Sequence, residues 1–84
     1  MDMTAFLFRC GEFYKSIGVY TVARYSYRIA SNQGHVPSMR ELGILLIQGK
    51  GGEVDIYEGS ALLHRAEAAG DVIASLALDS YLDF

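Results

Sequence analysis

The chain has 84 residues, enough for one domain, and a domain of this size buries only about 60% of the surface that its unfolded chain exposes. Hydrophobic residues make up 51% of the chain and charged residues 20%, so we expect part of the apolar surface to meet a protein partner. The net charge of −3 and the scattered arginines and lysines argue against nucleic acid as that partner.

The cysteine content and the hydropathy of the chain indicate in which cellular compartment the protein resides. Cys10 is the single cysteine and cannot form an internal disulfide, whereas small secreted domains usually contain several. The apolar run of residues 5–8 is too short for a signal peptide, and no stretch approaches the roughly 20 apolar residues that span a bilayer. We therefore expect a cytoplasmic protein that makes no membrane contact.

Two helices are predicted in the first part of the chain. Thr4 is the expected cap of the first helix, which should stop near Gly18. The second helix should run over residues 19–32 and close at Gly34, because glycine readily adopts the left-handed conformation that ends many helices. Apolar positions three or four residues apart predict the core faces: Leu7, Cys10, Phe13 and Tyr14 in the first helix, and Val22, Ala23, Tyr27 and Ala30 in the second.

A third helix is predicted around Pro37, which suits a first helical turn. It should extend to Gln48, because each glycine among residues 49–52 makes continuation less favourable by about 1 kcal/mol. Its predicted core residues are Met39, Leu42, Leu46 and Ile47.

Two further helices complete the prediction. Asp55 is the expected cap of a fourth helix that runs to about Ala69 and closes at Gly70. A fifth should begin near Asp71 and run toward Leu82. No segment shows sustained alternation of apolar and polar residues, so the predicted fold class is all-α.

An internal repeat is visible in the second and fourth predicted helices. Gly34 and Gly70 lie 36 positions apart, and the residues before them correspond at the same offset. The corresponding pairs give a small, a large and a small side chain, a spacing that lets two helices approach closely: Ala23 with Gly59, Tyr27 with Leu63, and Ala30 with Ala66.

These residues resemble the Sel-one-like repeat family, a relative of the tetratricopeptide repeats. The family pattern consists of a small residue, a Leu-Gly pair, a Gly-x-Gly loop, an Asp, a Gly, an Ala and a final Gly. The second unit matches this pattern in the same order, with Ser38, Leu42, Gly43, Gly49, Gly51, Asp55, Gly59, Ala66 and Gly70. The first unit has a shorter loop that looks like the plain tetratricopeptide version, and its matching residues are Cys10, Gly11, Tyr14, Gly18, Ala23, Tyr27, Ala30 and Gly34.

A third unit begins with Ala74 and Leu78, but Asp79 stands where the family has the glycine that lets a second helix cross. The resemblance therefore implies antiparallel helix-hairpin repeats in a single domain over residues 1–84. The units are expected at about residues 3–34 and 35–70, with a partial unit at 71–84 that forms a capping helix.

The resemblance also implies a function and a surface. In this repeat class the first helix of each pair lines the concave surface, where we expect an apolar stripe that binds a helix or an extended peptide, with an arginine giving orientation. The expected contact residues are Phe8, Arg40, Ile44, Ile47 and Leu76. We assign the four apolar residues to the stripe because they fill no core position in this pattern. The predicted function is a small cytoplasmic adaptor, chaperone or inhibitor of bacterial or phage origin. The alternative is a homodimer or larger structural homo-oligomer formed through the same stripe.

A catalytic alternative rests on Cys10 or on a histidine paired with an acid. As a nucleophile Cys10 needs a base, which only His35 or His64 offers. Free cysteines are among the most buried residues, so we expect a core thiol instead. His64 with Glu67 or Asp71 gives two ligands, fewer than the three or four of a zinc site, and a solvated helix face explains it.

Two other patterns that suggest chemistry are explained by helix ends. A phosphate-binding loop over residues 43–51 fails, because five residues instead of four separate its first two glycines and Gly51 replaces the magnesium-binding Ser or Thr. Glu53, Asp55 and Glu58 fit a helix N-terminus, where negative side chains are stabilising. The sequence thus predicts no enzyme and no catalytic, cofactor-binding or metal-binding residue.

Overall fold

The structure is a computed structural model that describes residues 2–82. These residues form five α-helices and no strand, which confirms the all-α prediction. The helices are α1 (Thr4–Ser16), α2 (Tyr20–Asn32), α3 (Val36–Gln48), α4 (Ile56–Ala68) and α5 (Val72–Leu82).

Most predicted helix ends are confirmed. Gly34 and Gly70 have φ values of +87° and +97°, in the left-handed region that glycine adopts easily. The Asp55 side chain accepts a hydrogen bond from the backbone N–H of Glu58, as a helix cap does. The predicted cap at Thr4 is wrong: Thr4 is the first helical residue, and the Asp2 carboxylate accepts hydrogen bonds from its N–H and its hydroxyl.

The first four helices form two antiparallel hairpins with the same internal packing. In the first hairpin a Cβ atom added at Gly11 would overlap the ring of Tyr27, which is fully buried. In the second, a Cβ atom added at Gly43 would lie 2.8 Å from the carbonyl oxygen of Gly59 and 3.0 Å from Leu63 Cγ. In both hairpins, therefore, a glycine on the first helix lies against a large side chain of the second, and the two helices approach closely, as the repeat spacing predicted.

The long turn between α3 and α4 is held against α2. The Nη2 atom of Arg24 donates hydrogen bonds to the carbonyl oxygens of Leu45 and Glu53, at 3.3 and 2.9 Å. Gly51 has a φ of +82° and touches the backbone of Tyr20, where a Cβ atom would overlap main-chain atoms. The turn thereby packs one hairpin on the other.

The core runs between the hairpins and continues under α5, and its members are Ala23, Tyr27, Met39, Leu42, Leu45, Leu46, Leu62, Leu63, Ala66, Ala74, Ala77 and Leu78. As the capping-helix prediction requires, α5 packs on α4 and Asp79 is exposed. Positions 83–84 of the predicted partial unit lie outside the described residues.

Part of the predicted core of the first hairpin is wrong. Phe13 and Val22 are 56% and 38% exposed, and Cys10 is half-buried outside the core cluster, so it is not a core thiol. The reason is position: α1 and α2 form the first layer of the stack, and no described element packs in front of them.

Candidate functional site

An open cleft of about 410 Å³ lies where α1, α3 and α5 face one side of the molecule. Its lining residues are Lys15, Tyr20, Glu41, Ile44, Leu45, Gln48, Lys50 and Tyr81. The partly accessible side chain of Ile44 supplies a small apolar floor, Leu45 lies buried beneath it, and the other residues supply a rim of charged and hydrogen-bonding groups.

Two contacts shape the rim of the cleft. Gln48 Nε2 donates a hydrogen bond of 2.9 Å to the hydroxyl of Tyr81, which ties α5 to α3. The ammonium of Lys50 lies 5.1 Å from the centre of the Tyr20 ring, within the range of a cation–π contact. Gln48, Lys50 and Tyr81 are all exposed to solvent.

Beside the cleft, a chain of polar contacts links four helices through Tyr27, Glu12, Lys15, Glu41, Arg40 and Asp71. Lys15 Nζ donates to Glu41 Oε1 at 2.7 Å, and Arg40 donates to Glu41 and to Asp71 at 3.0 Å each. The Arg40 and Asp71 side chains are only 13% and 8% exposed. Their pairing is therefore shielded from water, and it fixes the start of α5, where Asp71 also accepts the N–H of Ala74.

This chain of contacts shifts two pKa values. Burial raises the pKa of the Tyr27 hydroxyl, and the hydrogen bond that the hydroxyl donates to Glu12 raises it further. Burial alone would lower the pKa of Lys15, but its hydrogen bond to Glu41 and the two nearby carboxylates outweigh burial and raise that pKa. Tyr27 thus stays neutral and Lys15 charged, so both act as hydrogen-bond donors within the fold.

Two of the expected contact residues are engaged inside the molecule. The Phe8 ring packs 5.9 Å from the Tyr27 ring and 5.3 Å from His35, between centres. Arg40 is paired with Asp71 and Glu41 as described above. The expectation that Phe8 has no core position is wrong, because Phe8 packs against the core cluster.

The other three expected contact residues lie in different surroundings. Ile47 is half-buried and packs at Gly59, where the two helices of the second hairpin cross, so it too has a core position. Ile44 also packs against the core, but its outer side forms the floor of the cleft. Leu76 is 60% exposed. The structure therefore does not bring the five residues together as one continuous exposed stripe.

The two histidines weighed for catalysis have different surroundings. His35 Nδ1 lies 2.8 Å from Ser38 Oγ and its ring packs on Phe8, a structural role that the repeat junction predicted. His64 is exposed, as expected, with Nδ1 3.6 Å from Glu67. Within residues 2–82, no group of three or more His, Cys, Asp or Glu side chains is placed to hold a metal ion.

Sequence reasoning missed an apolar stripe on the outward side of α1. We call it the α1 outer stripe, and its residues are Met3, Phe6, Cys10, Phe13 and Ile17. Apart from the half-buried Cys10, each is 47–59% exposed. The signal was present in the sequence as alternating steps of three and four residues, the spacing of one helical face. It was obscured because α1 also carries apolar residues on its inward side.

Comparisons with protein-family models, curated proteins and solved structures gave no match to this chain. None of the helices in the described part of the chain has both the length and the apolar character needed to cross a membrane.

Proposed function

We propose that this protein is a small protein-binding module, which holds an extended peptide segment of another protein in the cleft between α1, α3 and α5. The observation that carries the proposal is the combination of a small apolar floor at Ile44 with exposed hydrogen-bonding side chains from α3, from the turn after it and from α5. A single side chain of the peptide fits the floor at Ile44, and its flanking backbone carbonyls accept hydrogen bonds from Gln48 and Lys50.

The proposed contact set differs from the concave stripe expected from the sequence. It keeps Ile44, whereas Leu76 is exposed on α5 but is not among the residues that line the cleft. It adds the rim residues Gln48, Lys50 and Tyr81. Phe8, Arg40 and Ile47 stabilise the fold beneath this surface, since each is packed or paired within the chain.

We further propose that the hairpins are repeat units of the Sel-one-like type. The glycine crossing of Gly43 with Gly59, the Gly-rich turn docked on α2 and the cap at Asp55 support this assignment. A non-catalytic adaptor or inhibitor in the cytoplasm remains the proposed role.

The proposal is tested with peptides selected from a displayed random library on the immobilised protein. A selected peptide, labelled with a fluorophore, is titrated by anisotropy against the wild type and against Lys50→Ala and Tyr81→Ala. Each variant removes a rim contact, so its Kd should rise about tenfold, equivalent to about 1.4 kcal/mol.

The matched control is His64→Ala, a substitution of an exposed side chain on α4 away from the cleft. Its Kd should equal that of the wild type. Equal affinity of all four proteins would place binding elsewhere, and selection that yields no peptide would contradict a peptide-binding cleft.

A further inference from the structure

No described helix packs on the α1 outer stripe, whereas neighbouring helices pack on the corresponding faces of α3 and α5. The two hairpins correspond residue by residue along their first helices, so Phe6, Cys10 and Phe13 of α1 correspond to Ser38, Leu42 and Leu45 of α3. Those three α3 residues are 0%, 1% and 2% exposed. This face of a first helix is thus one that helices of the neighbouring layer cover in this fold.

The same holds at the next layer. In α5 the corresponding positions are Ala74, Leu78 and Tyr81. Ala74 and Leu78 are 0% and 8% exposed because α5 packs on α4, whereas Tyr81, near the end of the helix, is 41% exposed. The first helices α3 and α5 therefore bury most of this face against another helix. The corresponding face of α1 is apolar and exposed, and an exposed apolar patch of this kind marks an interaction surface.

We propose that the α1 outer stripe packs against the same stripe of a second copy of this chain, with the two α1 helices antiparallel and crossing at Cys10. Cys10 is the smallest side chain of the stripe and lies at its middle, with a phenylalanine one turn away on each side. Helices approach most closely where their side chains are small, so this position favours the crossing point. A two-fold contact then places Phe6 and Phe13 of each copy around the crossing.

The area of the surface is sufficient for a specific but reversible dimer. An aromatic side chain offers about 150–250 Å² of surface, so Phe6 and Phe13 together expose roughly 200 Å². With Met3, Cys10 and Ile17, each copy contributes roughly 500 Å² of apolar surface. The two copies then bury up to about 1,000 Å², near the lower limit for a specific interface, so the dimer should be weak and reversible.

The composition of the stripe favours self-association over capture of a different protein. Its five side chains carry no charge, and the exposed Arg9 stands at its edge. Homodimer interfaces are more apolar than interfaces between proteins that also exist apart, which keep polar groups for recognition. Closed two-fold pairing is also the commonest arrangement of soluble oligomers.

The dimer contact leaves the proposed peptide cleft open. Lys15 lines the cleft from the inward side of α1, whereas the stripe occupies the outward side of the same helix. The inference therefore stands independently of the peptide-binding proposal, and each can fail alone.

Oxidative cross-linking at Cys10 tests the inference. Helices that cross at Cys10 bring the two thiols within reach of a disulfide, so copper-catalysed oxidation of the full chain should yield a covalent dimer that reducing agent dissolves. Phe13→Asp places a charge in the contact and should slow this cross-linking about tenfold or more. Because Phe13 is exposed in the monomer, the variant should keep its helical circular dichroism.

Two cysteine variants act as matched controls. Cys10→Ser with His64→Cys carries its thiol on an exposed α4 site away from the proposed contact, so the same oxidation should yield little or no covalent dimer. Ser80→Cys, in the protein that keeps Cys10, detects head-to-tail contacts through α5, which would give a ladder of multimers. Such a ladder, or a Cys10 cross-linking rate no greater than that of the His64→Cys control, would overturn the inference.

Discussion

The two hairpins share one internal design and differ in what covers them. In both, a glycine on the first helix accepts a large buried side chain from the second, Tyr27 at Gly11 and Leu63 at Gly43. Yet Leu45 of α3 is 2% exposed, whereas the corresponding Phe13 of α1 is 56% exposed. The difference shows that packing within a hairpin is local, while burial of its outward face depends on the neighbouring layer.

The two hairpins also differ in the turns that connect their helices. The short turn after α1 needs only Gly18, around which a Cβ atom would meet nothing within 4 Å. The longer turn after α3 lies on α2 and is fastened there by Arg24. The second turn therefore contributes to packing between hairpins, whereas the first only reverses the chain.

The largest expected effect is a loss of unfolding free energy at Leu45, compared with the corresponding residue of the first hairpin, Phe13. Leu45→Ala removes a buried side chain and should lower the free energy of unfolding by about 3 kcal/mol. Phe13→Ala, measured at a dilution where the chain is monomeric, should change it by less than about 1 kcal/mol, because the ring is already exposed. Urea denaturation measures both values. Equal losses would mean that the α1 face is covered within a single chain.

The glycine crossings give the next largest effect. Gly43→Ala forces a methyl group against the carbonyl oxygen of Gly59, and overpacking at a helix crossing should destabilise the fold by about 2–3 kcal/mol. In Gly11→Ala the added methyl group contacts the Tyr27 ring, and a side chain can shift more easily than backbone. The loss of unfolding free energy should therefore be smaller for Gly11→Ala than for Gly43→Ala. Thermal and urea unfolding of both variants check the order. A harmless Gly43→Ala would contradict the close crossing.

The two turns predict a moderate difference. Gly51→Ala combines a positive φ with overlap against the Tyr20 backbone and should lower the free energy of unfolding by about 2 kcal/mol. Gly18→Ala has the positive φ alone and should cost about 1 kcal/mol. If the two losses, measured by urea denaturation, are the same, the long turn is not packed on α2.

The smallest effect concerns the ion pair between the hairpins. Arg28 of α2 donates two hydrogen bonds to Glu58 of α4, at 2.9 and 3.0 Å, and these lower the pKa of Glu58. A lowered pKa in the folded state means that the pair stabilises the fold above the ordinary glutamate pKa of about 4.3 and that this stabilisation is lost as pH falls through the folded-state value.

Because both side chains are well exposed, the pair should contribute about 0.5 kcal/mol or less. The measurement is the difference in unfolding free energy between the wild type and Glu58→Gln at neutral pH and at pH near 3. The difference should shrink on acidification, since the wild type alone loses this carboxylate charge. A difference that is independent of pH would show that the pair does not bridge the hairpins.

Features encoded by near neighbours in the sequence were predicted well. The helix ends at Gly34 and Gly70, the cap at Asp55 and the burial of Tyr27 and Leu63 depend on residues a few positions away or on the repeat itself. Hydrophobic spacing and glycine conformation are sufficient for such features.

Features decided by distant neighbours were predicted poorly. Arg40 was expected at a partner, but Asp71, 31 positions later, pairs with it at the start of α5. Phe8 and Ile47 were expected on an exposed stripe, but neighbouring helices cover them. On α1, both sides are apolar, and spacing alone does not tell which side another layer covers.

The central claim is that the α1 outer stripe binds a second copy of the chain. Sedimentation equilibrium of the unmodified protein tests it at concentrations from low micromolar to several hundred micromolar. We expect the mass to rise from 9.2 kDa toward twice that value, and Phe13→Asp to remain at 9.2 kDa throughout. A wild-type mass of 9.2 kDa at every concentration would contradict the claim.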